Sequence, residues 1–162
     1  METLARLEET TLSIWLRESG PAFFGALTLH SLAMGFVVGI NIAVALKLIG
    51  FVPRLEITAV ARFFTFHWYG VAFIFISGIA LLLAYPAKAL TNPVFYFKLC
   101  ALSIGLLISR HFQNKFAIQR KNTIDRRSIG LAYLCLALWI AVVTTGRFLA
   151  YTHTTLLASR FY

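Results

Sequence analysis

The stretch FFTFHWYGVAFIFISGIALLLAY, Phe63 to Tyr85, carries no formal charge and a single histidine, His67, about one turn inside its first residue. A helix of about 20 apolar residues crosses the hydrocarbon core of a bilayer, so this stretch predicts a membrane span. Lipid offers an imidazole no polar partner. His67 must therefore hydrogen-bond a neighbouring helix, titrate or ligate something.

Working outward, three further apolar blocks appear, over about 22–51, 94–112 and 130–151. The 94–112 block is long enough only if Lys98 and Arg110 extend their charged heads toward the two interfaces. With 59% apolar and 13% charged residues in 162, little chain is left for a soluble domain. The expected fold is all-α: one membrane domain over 1–162, a four-helix bundle preceded by an amphipathic interfacial helix over 1–19. In that first segment Leu4, Leu7, Thr11, Ile14 and Trp15 share a face, which places Trp15 at headgroup level. A cleavable signal is not expected, because the segment lacks a basic start and the apolar run after it is too long. Gly20-Pro21 then separates the surface helix from the first span.

The net charge of +9 is unevenly distributed. Lys47, Arg54, Arg62, Arg110, Lys115, Arg120, Lys121, Arg126 and Arg127 fall on the side of the first-to-second and third-to-fourth connections, against only Glu56 and Asp125. The positive-inside rule puts these connections in the cytoplasm and both termini outside. That distribution argues against nucleic acid as the partner and leaves the lipid bilayer, including anionic headgroups, as the expected contact. Cys100 and Cys135 lie near opposite membrane faces, too far apart for a disulfide. The absence of a CxxCH sequence excludes covalently attached c-type haem.

The histidines sort by depth. At 1.5 Å per residue, His67 in the second span and His111 in the third each fall about 10 to 12 Å toward the cytoplasm. His30 in the first span and His153 after the fourth lie on the outer side, offset by roughly 9 Å in depth. Two imidazoles at one level on different helices is what bis-histidine ligation of a haem requires. Haem propionates would need cations nearby. Arg62 and Arg110 are placed for an inner site, Lys98 and Arg147 for an outer one. Lys98 and Arg147 also have no carboxylate in their own helices, so their counter-anion is a lipid phosphate, a partner subunit, the N-terminal glutamates or a bound ligand. His30 with Met34 is a weaker candidate for copper, and Gly35 with Gly39 forms a GxxxG pair expected to admit a neighbouring helix. Gly70, three residues after His67, is expected to leave room beside its ring.

Leu48-Ile49-Gly50 at the exit of the first span, Asn92-xx-Phe95-xx-Lys98 at the start of the third and Gly146-Arg147-xx-Ala150-Tyr151 at the end of the fourth resemble a group of small, uncharacterised bacterial four-helix membrane proteins. The resemblance spans most of the chain and implies topology in a bacterial inner membrane. The matching positions are His30, Asn92, Phe95, Lys98, Arg147 and Tyr151, and His67 is not among them. By architecture the bundle is also similar to b-type membrane cytochromes.

The expected function is electron relay through one or two haem b groups, between a quinol or redox partner subunit and an acceptor. His67 and His111 would be the inner ligands, His30 and His153 the outer ones, in a complex or homo-oligomer. The alternatives are a non-redox structural or assembly subunit and a small anion or metal permease. No residue set for bond-making catalysis is apparent.

Overall fold

The computed structural model describes residues 8–118 and 125–158, with their side chains except at 57, 117–118 and 150–158. Among the described residues seven helices follow one another: α1 (Thr11–Glu18), α2 (Gly20–Ile49), α3 (Ile57–Ala61), α4 (Phe64–Ala84), α5 (Pro86–Leu90), α6 (Pro93–Ile118) and α7 (Arg126–Ala158). Among the described residues there is no strand. Helices α2, α4, α6 and α7 are long and apolar enough to cross a membrane, so the chain is a multi-pass membrane protein. Only 22% to 39% of the most apolar window of each is buried inside the protein. The remaining apolar surface, with Phe24, Leu32 and Leu107 each about 70% exposed, must be covered by lipid.

Local chemistry sets the helix ends. The Thr10 hydroxyl accepts from Ser13 N–H at 3.4 Å to cap α1. The Ser19 hydroxyl does the same for Ala22 N–H at 3.4 Å, and Pro21 sits in the first turn of α2, where no donor is lost. The surface helix is therefore separated from the first span one residue before Gly20. The first seven residues expected in it lie outside the described residues. Helix α2 stops at Gly50, whose φ of 88° is the left-handed conformation glycine adopts without a Cβ clash. Lys47 Nζ folds back to donate to Pro53 O at 2.5 Å. Asn92 Oδ1 accepts from Val94 N–H at 2.9 Å, the expected cap of α6.

Two helices outrun their apolar blocks. Helix α6 continues to Ile118 instead of stopping near 112, and α7 covers Arg126–Ala158 instead of about 130–151. Apolarity marks where lipid is, whereas a helix stops where capping or a glycine or proline stops it, and none of these follows Phe112 directly. The α6–α7 connection is clasped at its base. Asp125 Oδ1 accepts from Ser128 N–H at 2.7 Å, and Lys115 Nζ donates to Asp125 Oδ2 at 3.2 Å and to Ser128 Oγ at 2.6 Å. The bonds from Ser128, then that from Lys115, hold the exposed Asp125 carboxyl down to about 2.

Helix α2 packs on α4 and α7, and α6 packs on α7. Val37, Ala45, Ala132 and Trp139 are fully buried at these seams. The close approach of α2 and α4 uses Gly70: a Cβ there would lie 2.9 Å from Val37 Cγ2 and 3.3 Å from Phe36 Cδ1. The space expected beside the His67 ring is thus taken by α2. Gly35 and Gly39 differ from expectation in the opposite sense. Nothing lies within 4 Å of a Cβ at either, so the GxxxG pair receives no helix of this chain among the described residues.

Candidate functional site

Two histidines of neighbouring helices anchor two different environments. His67 on α4 is 0% exposed and is held in a hydrogen-bond network through its Nε2. Asn41 on α2 is its hub. Its Nδ2 donates to Val37 O at 2.8 Å and to His67 Nε2 at 2.8 Å, while its Oδ1 accepts from the Ser109 hydroxyl of α6. Ser109 Oγ also reaches Gly105 O at 2.7 Å. On the other side of the ring, Gln113 Nε2 lies 3.4 Å from His67 Nδ1, and Gln113 Oε1 accepts from Trp68 Nε1–H at 2.7 Å. The Arg110 guanidinium covers the Trp68 ring at 5.8 Å.

Since Asn41 gives a proton to Nε2, the ring proton belongs on Nδ1, and the lone pair a metal would need is already in use. His111 is exposed, with its own neighbour Phe112 as its ring contact at 6.1 Å. Gln113 is the α6 residue facing His67. At about 100° per residue, His111 projects roughly 200° around the helix from it. The structure therefore does not bring His67 and His111 together, although they fall at similar depth. Arg110 is engaged with Trp68, and Arg62 lies exposed at the end of α3. The residues at this end do not fit a bis-imidazole haem site. They form a polar brace between α2, α4 and α6.

The His30 end is open. A cavity of about 380 Å³ lies among α2, α4, α5, α6 and α7, walled mainly by leucine, isoleucine and phenylalanine side chains. His30, Met34, Gly78, Lys88, Lys98 and Gly146 interrupt that apolar lining, and among the described residues no carboxylate belongs to it. His30 Nδ1–H donates to Ser77 Oγ at 3.0 Å. The direction follows from Ser77, whose own hydroxyl proton goes back along α4 to Phe73 O at 2.5 Å. With the proton on Nδ1, the Nε2 lone pair has no hydrogen-bond donor among the described residues. A nitrogen held through the opposite edge of its ring is how proteins orient a metal-binding or basic imidazole.

Glycines keep this space clear. A Cβ at Gly78 would stand 3.5 Å from His30 Cε1, and one at Gly146 3.6 Å from Lys98 Nζ. The expected outer residues thus divide. His30 and Lys98 share the cavity. Arg147 is exposed and its neighbour Gly146 faces the cavity instead. The side chain of His153 lies outside the described residues, but the backbone there is helical, four residues after Leu149 and seven after Gly146, both cavity-lining. In the sequence Ser77-Gly78 reads as a close-packing pair, not as a partner of His30, and Lys88 reads as a turn lysine that only the fold of α5 over the bundle end brings to the cavity. Among the described residues no group of three or more His, Cys, Asp or Glu side chains gathers as a metal cluster.

Fold and site together define a multi-pass helical membrane protein with an apolar cavity between its spans that holds His30 and two lysines. Compared with known proteins, the chain matches no family model, no curated protein and no solved structure.

Proposed function

We propose that the protein is a b-type membrane cytochrome whose redox group occupies the His30 cavity, relaying electrons between a quinol or redox partner subunit and an acceptor. The observation that carries this reading is that, among the described residues, His30 Nε2 has no donor and its apolar cavity also holds two lysines and no acid. A haem b offers what these groups lack: an iron for the nitrogen, an apolar macrocycle for the walls and carboxylates for the lysines. When bound, it supplies one-electron exchange.

Each residue has a separate role in this reading. His30 ligates, and Ser77 fixes its tautomer and ring plane. Lys98 and Lys88 neutralise carboxylates, and the leucine and phenylalanine walls exclude water. His153, seven residues after Gly146 and four after Leu149 on α7, would be a second ligand in this reading. Under the positive-inside rule the cavity lies in the outer half of a bacterial inner membrane, with the basic His67 end in the cytoplasm.

The test is a reduced-minus-oxidised spectrum of detergent-purified protein from haem-supplied cells, with a pyridine haemochrome assay. An α band with about one haem per chain is expected, lost in His30→Ala and altered in His153→Ala, and retained in His67→Ala and His111→Ala. A colourless preparation would sink the cytochrome reading.

A further inference from the structure

We infer that the His30 cavity is selective for an amphiphilic dianion, with Lys98 receiving one acidic group inside the membrane and Lys88 the other at the rim. The inference deepens the cytochrome reading and shares its cavity, but it rests on the cations and not on the imidazole.

An ammonium inside a membrane domain needs a counter-charge, because its solvation is lost and lipid tails supply none. Lys98 lies one turn and a half into α6 and faces the cavity, with its ammonium over Gly146. Among the described residues it has no carboxylate partner; the ion pair found there joins Lys115 to Asp125. The acid best placed to serve the cavity rim, Glu8, is already engaged: its Oε1 accepts from Ala87 N–H at 3.2 Å, at the start of α5. That bond, together with Ser13 Oγ reaching Ala84 O at 3.5 Å, ties the N-terminal segment to the α4–α5 corner.

Lys88 stands on the same corner. Its ammonium lies 6.0 Å from the centre of the Tyr85 ring, which Phe23 of α2 supports edge-on at 5.8 Å. Two cations, one at the mouth and one deeper, thus face a cavity whose other walls are apolar. A neutral ligand leaves both unpaired, and a monoanion leaves one. A ligand with two carboxylates and an apolar body satisfies the whole lining. Haem has this chemistry, and so does a long-chain dicarboxylate derived from lipid.

The test uses probes without iron, so that ligation by His30 plays no part. Apo protein is titrated with protoporphyrin IX and with its dimethyl ester, following tryptophan quenching. The free acid is expected to bind at least tenfold more tightly than the ester. Lys98→Met should remove most of that preference with ester affinity unchanged, Lys98→Arg should keep it, and Lys88→Met should reduce it less. Ester binding reports whether each variant retains its cavity; if Lys98→Met loses it, the wild-type comparison and Lys88→Met decide. Equal affinity for acid and ester, or indifference to both lysines, overturns the inference. Displacement of the porphyrin by hexadecanedioate supports a lipid-derived diacid as occupant, and resistance to displacement supports a tetrapyrrole. A protein colourless in haem-fed cells that still prefers the diacid loses the cytochrome reading and keeps this one. One that loads haem with both lysines replaced does the reverse.

Discussion

The His67 and His30 ends use one residue type for opposite purposes. At His67 both ring nitrogens face amide side chains, the imidazole is fully buried, and every member of the network holds another in place. At His30 one nitrogen is anchored to Ser77, and no hydrogen bond to the other is found among the described residues. A buried lone pair that already receives a donor braces the fold, and one that receives none can bind a ligand. Depth in the membrane does not separate the two cases. Whether Nε2 receives a donor does.

That contrast is broken most directly by exchanging the two losses. His30→Ala should abolish ligand loading with little change in unfolding temperature. His67→Ala should lower the unfolding temperature and leave loading near one per chain. If His67→Ala empties the protein and His30→Ala does not, the assignment of brace and site is reversed.

The next largest effect falls on the hub. Asn41→Ala removes bonds to two other helices and leaves His67 Nε2 buried without a donor, a loss of roughly 1–3 kcal/mol. Thermal or denaturant unfolding in detergent measures it, and Asn41→Asp should not restore the loss, because a carboxylate has no proton to give Val37 O or Nε2. No change in stability would show that the network is not a brace.

A smaller effect distinguishes glycines that touch from glycines that do not. Gly70→Ala should cost about 1–3 kcal/mol, because its Cβ would stand 2.9 Å from Val37 Cγ2 on the facing helix. Gly35→Ala and Gly39→Ala, with nothing within 4 Å, should be neutral in a monomer. Destabilisation there that grows with protein concentration would instead reveal a second chain on that face.

The smallest effect is electrostatic. The folded carboxyl of Asp125 is held down to about 2, below the roughly 3.9 of an unfolded aspartate. Its contribution is therefore complete above the unfolded value and is lost as pH falls through the folded one. Between about pH 4 and pH 2 wild type should lose stability relative to Asp125→Asn, and above pH 5 the difference should be constant. Lys115→Met should narrow the window, since one of the bonds that holds the carboxyl ionised is then missing.

Much of the candidate site was legible, and the rest failed for a definable reason. His30 and Lys98 were found because polar groups in an apolar span announce themselves. His67 was found by the same signal but assigned the wrong partner. Its neighbours at the two ring nitrogens, Asn41 and Gln113, lie on other helices, at positions no local pattern links to it. Arg147 was preferred over Gly146 because charge is visible in a sequence and space is not.

The sequence by itself determined four membrane spans, a separate N-terminal surface helix and the caps at Asn92 and Gly50, since these follow from apolar run length and from backbone chemistry within a few residues. Only the tertiary structure decided that Asn41 donates to His67 Nε2 while His30 is anchored through Nδ1, and that Lys88 joins Lys98 in one cavity. Rotation of each helix about its axis and the register between helices set those outcomes, and both depend on how distant side chains pack together.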